Sequence, residues 1–182
     1  MKHPYRIKTA VCGAIMTCVA IGAGAKDVED ATPTPAPILS TEVSASDLSC
    51  LTGAAHYMAL LTIMSGMADK HAVTPEVKAE AAAVAEEQKP AMESLEMLAG
   101  KLNVPLDAEL NGVDTDALAS IGTQKGLKFD KAFLDAQRDA EDALGTALTD
   151  GLNSTDANIK EFAKTGLTRL KQEQDRMRKL GF

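Results

Sequence analysis

The sequence is poor in aromatic residues, with no tryptophan, two tyrosines and four phenylalanines among 182 residues. Strands favour aromatic and β-branched side chains, and no stretch of this chain alternates apolar and polar residues as a half-buried strand does. Alanine, leucine, methionine, glutamate and lysine are abundant instead, and all of them favour helices. We therefore predict an all-α fold.

Cysteine and histidine are also scarce, with three residues of each. Cys12 and Cys18 lie in an N-terminal segment that we expect to be removed, which leaves Cys50 without a partner for an internal disulfide. We expect Cys50 to pack as a small apolar residue, with a bridge between two chains as the alternative. The chain also lacks the Glu-x-x-His pairs of di-iron bundles, so a catalytic di-iron centre is not expected.

Motifs of other enzyme classes are missing as well. There is no Gly-x-Ser-x-Gly turn, and the segment GTQKG at 122–126 has neither the flanking strand nor the spacing of a phosphate-binding loop. Neither histidine of the mature chain is obviously partnered with a serine or with Cys50. We predict that the protein is not an enzyme and uses no cofactor.

The first 25 residues have the features of a signal peptide. Positive residues come first, an apolar run follows from Thr9 to Gly22, and Ala23-Gly24-Ala25 is a small-x-small cleavage site. The run is shorter than the roughly 20 residues of a membrane span. We predict cleavage after Ala25, a periplasmic or secreted protein, and no transmembrane segment after cleavage. A retained N-terminal anchor is the alternative.

Removal of residues 1–25 takes away Lys2, Arg6 and Lys8 but no acidic residue, so the formal net charge falls from −7 to −10 (−7 − 3). An acidic protein repels nucleic acid, whose phosphates require a basic face, so we expect no nucleic-acid partner. Residues 26–45, which contain three prolines, are predicted to be a flexible lead, and residues 46–182 one folded domain. The partner is unknown, and a homo-oligomer stays open.

Apolar residues recur every three or four positions in four long segments of the domain. Thr74 and Pro75 give the second segment a clear cap and first helical position, and Pro90 should kink it. The predicted helices cover 47–72, 75–102, 129–149 and 156–180, with one short helical turn at 114–121 in the second connection. Four helices of similar length are typical of an up-down four-helix bundle.

Three of the apolar stripes are each interrupted by a polar residue, namely Gln88, Glu141 and Glu173. A buried carboxylate costs several kcal/mol unless it is paired, and a buried amide needs hydrogen-bond partners. Either these stripes rotate outward to solvent or the three residues share an interior site, and one interruption per helix favours the shared site. The third stripe is predicted to contain Leu127, Leu134, Gln137, Glu141, Leu144 and Leu148.

Two other groups of polar or sulfur-bearing residues have simple interpretations. His56 lies near Met58, Met64 and Met67, a set that could bind copper through one imidazole and soft thioethers. Methionine at helical spacing more often fills a core, which is the favoured interpretation. The basic run RLKQEQDRMRKL at 169–180 is interleaved with acids, so we expect a solvated helix face with salt bridges.

The segments HAVTPEVKAEA, FDKAFLDAQRDAEDAL and IKEFAKTGLTRLKQEQ give the chain a family likeness over 48–180. It resembles the exported bacterial ferritin-like proteins filed as domain of unknown function 4142. The resemblance implies a ferritin-like four-helix bundle outside the cytoplasm, with metal binding often suspected. Histidines that relatives commonly carry fall on Gln88, Glu141 and Glu173 here, and their helix A acids fall near Leu61 and Ile63. The chain is thus a divergent member in which no metal-binding residue is expected.

The sequence favours a non-catalytic, exported, ferritin-like helical bundle with a binding or envelope stress-related role. Its interior polar residues would then fix the register of the helices by hydrogen bonding. The alternative is a metal-binding or metal-buffering bundle that uses Glu141 and Glu173, because carboxylate oxygens suit hard cations. The two hypotheses differ in what surrounds these carboxylates.

Overall fold

The computed structural model describes residues 43–180, and this part of the chain contains five helices and no strand. The helices are α1 (Ala45–His71), α2 (Pro75–Leu102), α3 (Gly112–Thr123), α4 (Leu127–Gly151) and α5 (Ala157–Lys179). The predicted all-α class is therefore confirmed. The predicted signal peptide at 1–25 and most of the predicted lead at 26–45 lie outside the described residues.

Helix α1 begins with a capping box. The Ser44 side chain accepts a hydrogen bond from the backbone N–H of Asp47 at 3.0 Å, and the Asp47 carboxylate accepts one from the Ser44 N–H at 3.3 Å. This reciprocal arrangement satisfies two donors that a helix start otherwise leaves without partners. It sets the first residue of the helix at Ala45, two residues before the predicted start.

The four long helices form a closed set of neighbours around one core. Helix α1 packs against α2 and α4, while α5 packs against α4 and α2. Apolar side chains of all four helices fill the space between them, as the predicted stripes require. A helical bundle is thus confirmed, and its up-down, ferritin-like arrangement stays a prediction.

Small residues allow α1 and α4 to approach closely. A Cβ atom added to Gly53 would lie 2.9 Å from Cβ of Ala147, and one added to Gly151 would lie 2.6 Å from Sγ of Cys50. Cys50 is fully buried, and burial raises the pKa of its thiol to about 11. A buried, protonated thiol is a poor nucleophile, so Cys50 packs as a small apolar residue.

Helix α1 has the length and composition of a membrane span, but half of its most apolar window is buried in the bundle. It is the one helix within residues 43–180 that passes this test. A central core helix has the same properties, because it is apolar on nearly all sides.

The short helical turn predicted at 114–121 is a longer helix in the structure, namely α3. Asn111 accepts a hydrogen bond from the Asp114 N–H at 3.0 Å and so caps a helix of 12 residues. This helix lies against α1 and α4, with Ile121 buried and His56 Nε2 of α1 3.0 Å from Asp114 Oδ2. The apolar stripe of α3 is too short to predict its length, because the helix is capped by Asn111 and buries only Ile121.

The methionine-rich group around His56 is consistent with the favoured interpretation of core packing, and its copper alternative stays a prediction. Met58 and Met64 are buried in the core, while His56 pairs with Asp114.

Leu127 differs from the prediction that places it in the apolar stripe of the third long helix. It is the first residue of α4 and is 73% exposed, because the helix has barely begun at that point and α1 does not cover it.

Asp130, in the first turn of α4, holds the connection between α1 and α2. Its carboxylate accepts hydrogen bonds from the N–H groups of Val73 at 3.0 Å and Thr74 at 2.9 Å, and from the Thr74 hydroxyl. Thr74 occupies the predicted cap position, but its side chain makes no cap hydrogen bond and donates to Asp130 instead.

We expect Asp130→Ala to lower the free energy of unfolding by about 2 kcal/mol, because two backbone donors in a partly buried turn would lose a charged acceptor. Urea denaturation of the purified protein measures this change. Asp135→Ala in the same helix is the control, since that partly exposed carboxylate only pairs with Lys131 and Arg138 and its loss should cost less than about 1 kcal/mol. Equal losses for the two variants would contradict the role given to Asp130.

Candidate functional site

The three predicted polar residues all lie inside the bundle. Gln88 of α2 is 1% exposed, and Glu141 of α4 and Glu173 of α5 are fully buried. The alternative in which their stripes rotate outward to solvent is therefore wrong. Since a buried charge is costly without compensation, the groups around these residues decide what the site can do.

One guanidinium group joins α5 to α2. Arg176 donates from Nε to Glu80 at 3.0 Å and from Nη2 and Nη1 to the two carboxylate oxygens of Glu87 at 2.9 and 3.0 Å. Glu80 is 5% exposed, and its second oxygen lies 3.3 Å from Nη2 of the same guanidinium. This fork geometry, with each carboxylate held by two hydrogen bonds, is the strongest form of an ion pair.

A second guanidinium group joins two of the predicted residues. Arg169 donates from Nε to Glu173 at 3.1 Å and from Nη2 to the Gln88 side-chain oxygen at 3.3 Å. Its Nη1 lies 3.5 Å from the backbone oxygen of Glu87.

Glu141 is held differently. Its Oε1 accepts a hydrogen bond from Gln137, one turn earlier on α4, at 2.7 Å. Arg169 therefore bridges Gln88 and Glu173, whereas Glu141 accepts its hydrogen bond from a residue of its own helix. The charges of Glu173, Glu80 and Arg176 all act on the pKa of Glu141, so these groups form one electrostatic cluster. We call it the buried polar cluster; it consists of Glu80, Glu87, Gln88, Gln137, Glu141, Arg169, Glu173 and Arg176.

The buried polar cluster holds more acid than base. Its four carboxylates and two guanidinium groups carry a net charge of −2 (−4 + 2) when all are ionised. Four buried side-chain atoms of the cluster have no hydrogen-bond partner within the described chain: Nε2 of Gln88, Oε1 of Gln137, Oε2 of Glu141 and Oε2 of Glu173. Arg169 compensates Glu173, and Arg176 shares one positive charge between Glu80 and Glu87, so the excess negative charge lies on Glu141 and on the Glu80–Glu87 pair.

Burial raises the pKa values of Glu141 and Glu173. Loss of hydration raises the pKa of Glu141 to about 7, with Glu173 and Glu80 adding repulsion and the Gln137 hydrogen bond opposing the shift. Loss of hydration also raises the pKa of Glu173 to about 7; Glu87 adds to the rise, and Arg169 opposes it. Two protons taken up near neutral pH would thus bring the net charge of the cluster from −2 to zero.

Arg176 keeps its charge throughout. Burial alone would lower its pKa, but the hydrogen bonds and charges of Glu80 and Glu87 outweigh that effect and raise the pKa above its ordinary value. The cluster therefore combines fixed positive charges with two acids that can gain or lose a proton. Chemically it can bind protons and cations, and it presents no nucleophile.

The carboxylates do not converge as a metal site on their own. Among residues 43–180, no three histidine, cysteine, aspartate or glutamate side chains are arranged to hold a metal ion. Guanidinium nitrogens are bonded to both oxygens of Glu80 and Glu87 and to Oε1 of Glu173, so these oxygens already have positively charged partners.

Arg169 and Arg176 are the residues that the sequence interpretation missed. The run at 169–180 was expected to be a solvated face, but these two side chains turn inward and reach α2, while Arg178 remains exposed and pairs with Asp175. A signal for this was present in the spacing. Arg169 and Arg176 are seven residues apart, as are Glu80 and Glu87, which places each pair on one face of its helix.

Comparison with solved structures gives a likeness in fold. The crystal structure of a DUF305 fragment from Deinococcus radiodurans matches with a TM-score of 0.68 and 11% sequence identity, over 76% of this chain and 96% of that one. At this identity the likeness concerns the helical fold alone. No curated protein matches the chain.

The match to a protein family covers all of the described residues. The family described as "Domain of unknown function (DUF4142)" matches residues 32–180, which include the five helices and the whole buried polar cluster. This agrees with the resemblance carried by the segments at the starts of α2 and α4 and along α5. Because the match covers well over half of the 182 residues, the chain belongs to the DUF4142 family.

Proposed function

We propose that the protein is a non-catalytic, exported bundle of ferritin-like, up-down type, whose role is binding in the cell envelope or in its protection from stress. The observation that carries this proposal is the occupation of the interior by Arg169 and Arg176. In a ferritin-like metal enzyme the interior carboxylates bind metal. Here guanidinium groups are hydrogen-bonded to three of the four carboxylates and tie α5 to α2.

Export is proposed from the N-terminal sequence. A positive start, an apolar run and Ala23-Gly24-Ala25 together are typical of a signal peptide. N-terminal sequencing of the protein recovered from the envelope fraction should therefore begin at Lys26. A full-length chain recovered with the cytoplasm would contradict export.

A second candidate function is metal binding or metal buffering by Glu141 and Glu173. It is favoured by the two carboxylate oxygens that have no partner among residues 43–180 and by the net charge of −2 in the buried polar cluster. A hard divalent cation would compensate that charge and would find oxygen ligands.

The metal-to-protein ratio separates the two candidates. The chain should be exported in its native envelope and purified without chelator or affinity tag, and its metal content measured by mass spectrometry. We expect a ratio close to zero. A near-stoichiometric content of one metal, lost in Glu141→Ala with Glu173→Ala and kept in the exposed control Glu161→Gln, would overturn the first proposal in favour of the second.

A further inference from the structure

A cavity of about 210 Å³ opens between α4 and α5 beside the buried polar cluster. Its wall includes one apolar side chain, the thioether of Met177, and the rest of the lining is polar. The lining residues are Arg138, Glu141, Asp142, Gln174, Met177 and Arg178.

Glu141 is the fully buried acid in the lining of this cavity. The side chain has no exposed surface, its Oε1 is bonded to Gln137, and its Oε2 has no partner within the described chain. A buried carboxylate oxygen without a partner is energetically costly, and a ligand that donates a hydrogen bond to it would remove that cost. A ligand group that reaches Glu141 Oε2 must therefore be a hydrogen-bond donor.

The charges at the outer end of the cavity are mostly compensated. Arg138 pairs with Asp135 at 3.1 Å, and Arg178 pairs with Asp175, in both cases within one helix. Asp142, in contrast, accepts a hydrogen bond from the neutral side chain of Gln174 at 3.2 Å. Arg138 shares Asp135 with Lys131, and neither Glu141 nor Asp142 is bonded to a positively charged group of residues 43–180. Glu141 also contributes to the excess of two negative charges in the buried polar cluster.

We infer that this cavity binds a small aliphatic ammonium cation, which donates N–H groups to Glu141 Oε2 and to the Asp142 carboxylate. The inference rests on the binding role proposed above and gives it a ligand class. An ammonium group supplies both the donor and the positive charge that the lining requires. Methylene groups of the ligand would contact Met177 and the aliphatic parts of the two arginines. The site differs from the metal alternative because it uses Asp142 in place of Glu173.

Calorimetric titration of the exported chain with 1,4-diaminobutane at pH 8, after removal of metals, tests this inference. We expect saturable binding of one diamine per chain and none of 1,4-butanediol, which has a similar shape without charge. Glu141→Gln should weaken binding by roughly tenfold or more, because a charge-assisted hydrogen bond is lost. Asp142→Asn should weaken it less, and circular dichroism shows whether each variant is folded.

Two control variants locate the site. Glu173→Gln lies in the cluster but does not line the cavity, so it should change affinity by less than about threefold. Glu161→Gln is exposed on α5 and should have no effect.

The inference is overturned if the wild-type chain shows no saturable diamine binding, if Glu141→Gln and Asp142→Asn both bind as the wild type does, or if Glu173→Gln abolishes binding. The metal content and the N-terminus of the exported chain are measured separately. A metal-free, exported protein that binds no diamine would thus remove the ligand class and leave the proposed function in place.

Discussion

Arg176→Met is expected to lower the free energy of unfolding by about 3 kcal/mol. The substitution keeps much of the side-chain volume but removes the guanidinium that holds Glu80 and Glu87 together. Two carboxylates, one of them 5% exposed, would then face each other without a positive charge. Removal of one partner from a buried ion pair typically costs 3–5 kcal/mol, and Arg176 is partly exposed, which places the effect at the lower end. Urea denaturation measures the change.

Arg178→Met is the matched control. Arg178 lies two residues further along α5, its side chain is 65% exposed, and it pairs only with Asp175 on its own helix. Loss of a surface pair of this kind should cost less than about 1 kcal/mol. A similar loss of stability in the two variants would show that Arg176 acts as another surface arginine.

Addition of Glu80→Gln and Glu87→Gln to Arg176→Met should restore part of the lost stability. The triple variant has no uncompensated charge between α2 and α5, although it also lacks their hydrogen bonds. If the triple variant is less stable than Arg176→Met alone, the loss comes from packing of the arginine side chain, and charge compensation is the wrong explanation.

The free energy of unfolding is expected to fall as the pH rises from 5 to 8 in metal-free protein. The pKa of Glu141 and that of Glu173 rise from 4.5 in the unfolded chain to about 7 in the folded protein. Between these values the folded protein holds protons that the unfolded chain releases, so a higher pH favours unfolding. For each group, a pKa rise of this size corresponds to about 3 kcal/mol in the free energy of unfolding. This contribution is present below pH 4.5 and lost above pH 7.

Denaturation curves at several pH values test this dependence. Glu141→Gln, which cannot ionise, should flatten the fall in stability, and Glu173→Gln should do the same. Glu96→Gln, an exposed position on α2, should keep the wild-type slope. Wild-type stability that is constant or that rises between pH 5 and pH 8 would contradict the assignment of bound protons to Glu141 and Glu173.

Local sequence was sufficient for most of the helices. Periodicity and the Thr74-Pro75 start placed α2, and the helix ends before Asn103, which has a left-handed conformation. These features act within one or two turns, so they can be recognised without knowledge of the rest of the fold. The prediction failed at α3, whose three turns depend on an Asn111 cap and on contacts with α1 and α4.

The interior position of Gln88, Glu141 and Glu173 was also predictable, because the position of a residue within an apolar stripe decides which face of the helix it occupies. The partners of these residues were not. Arg169 and Arg176 bond residues that are 81 to 96 positions away in the chain. Such pairs require a particular rotation and register of α5 against α2, and neither quantity is encoded in the period of a single helix.

The sequence by itself determined the helical class, the extent of the four long helices and the three polar positions inside them, since each follows from spacing along one segment. The tertiary structure alone decided what those polar groups meet. It brought two arginines of an apparently solvated run against the carboxylates of α2, and it left one oxygen each of Glu141 and Glu173 without a partner. The physical reason is that charge compensation in a bundle is a property of neighbouring helices, whose packing no single segment specifies.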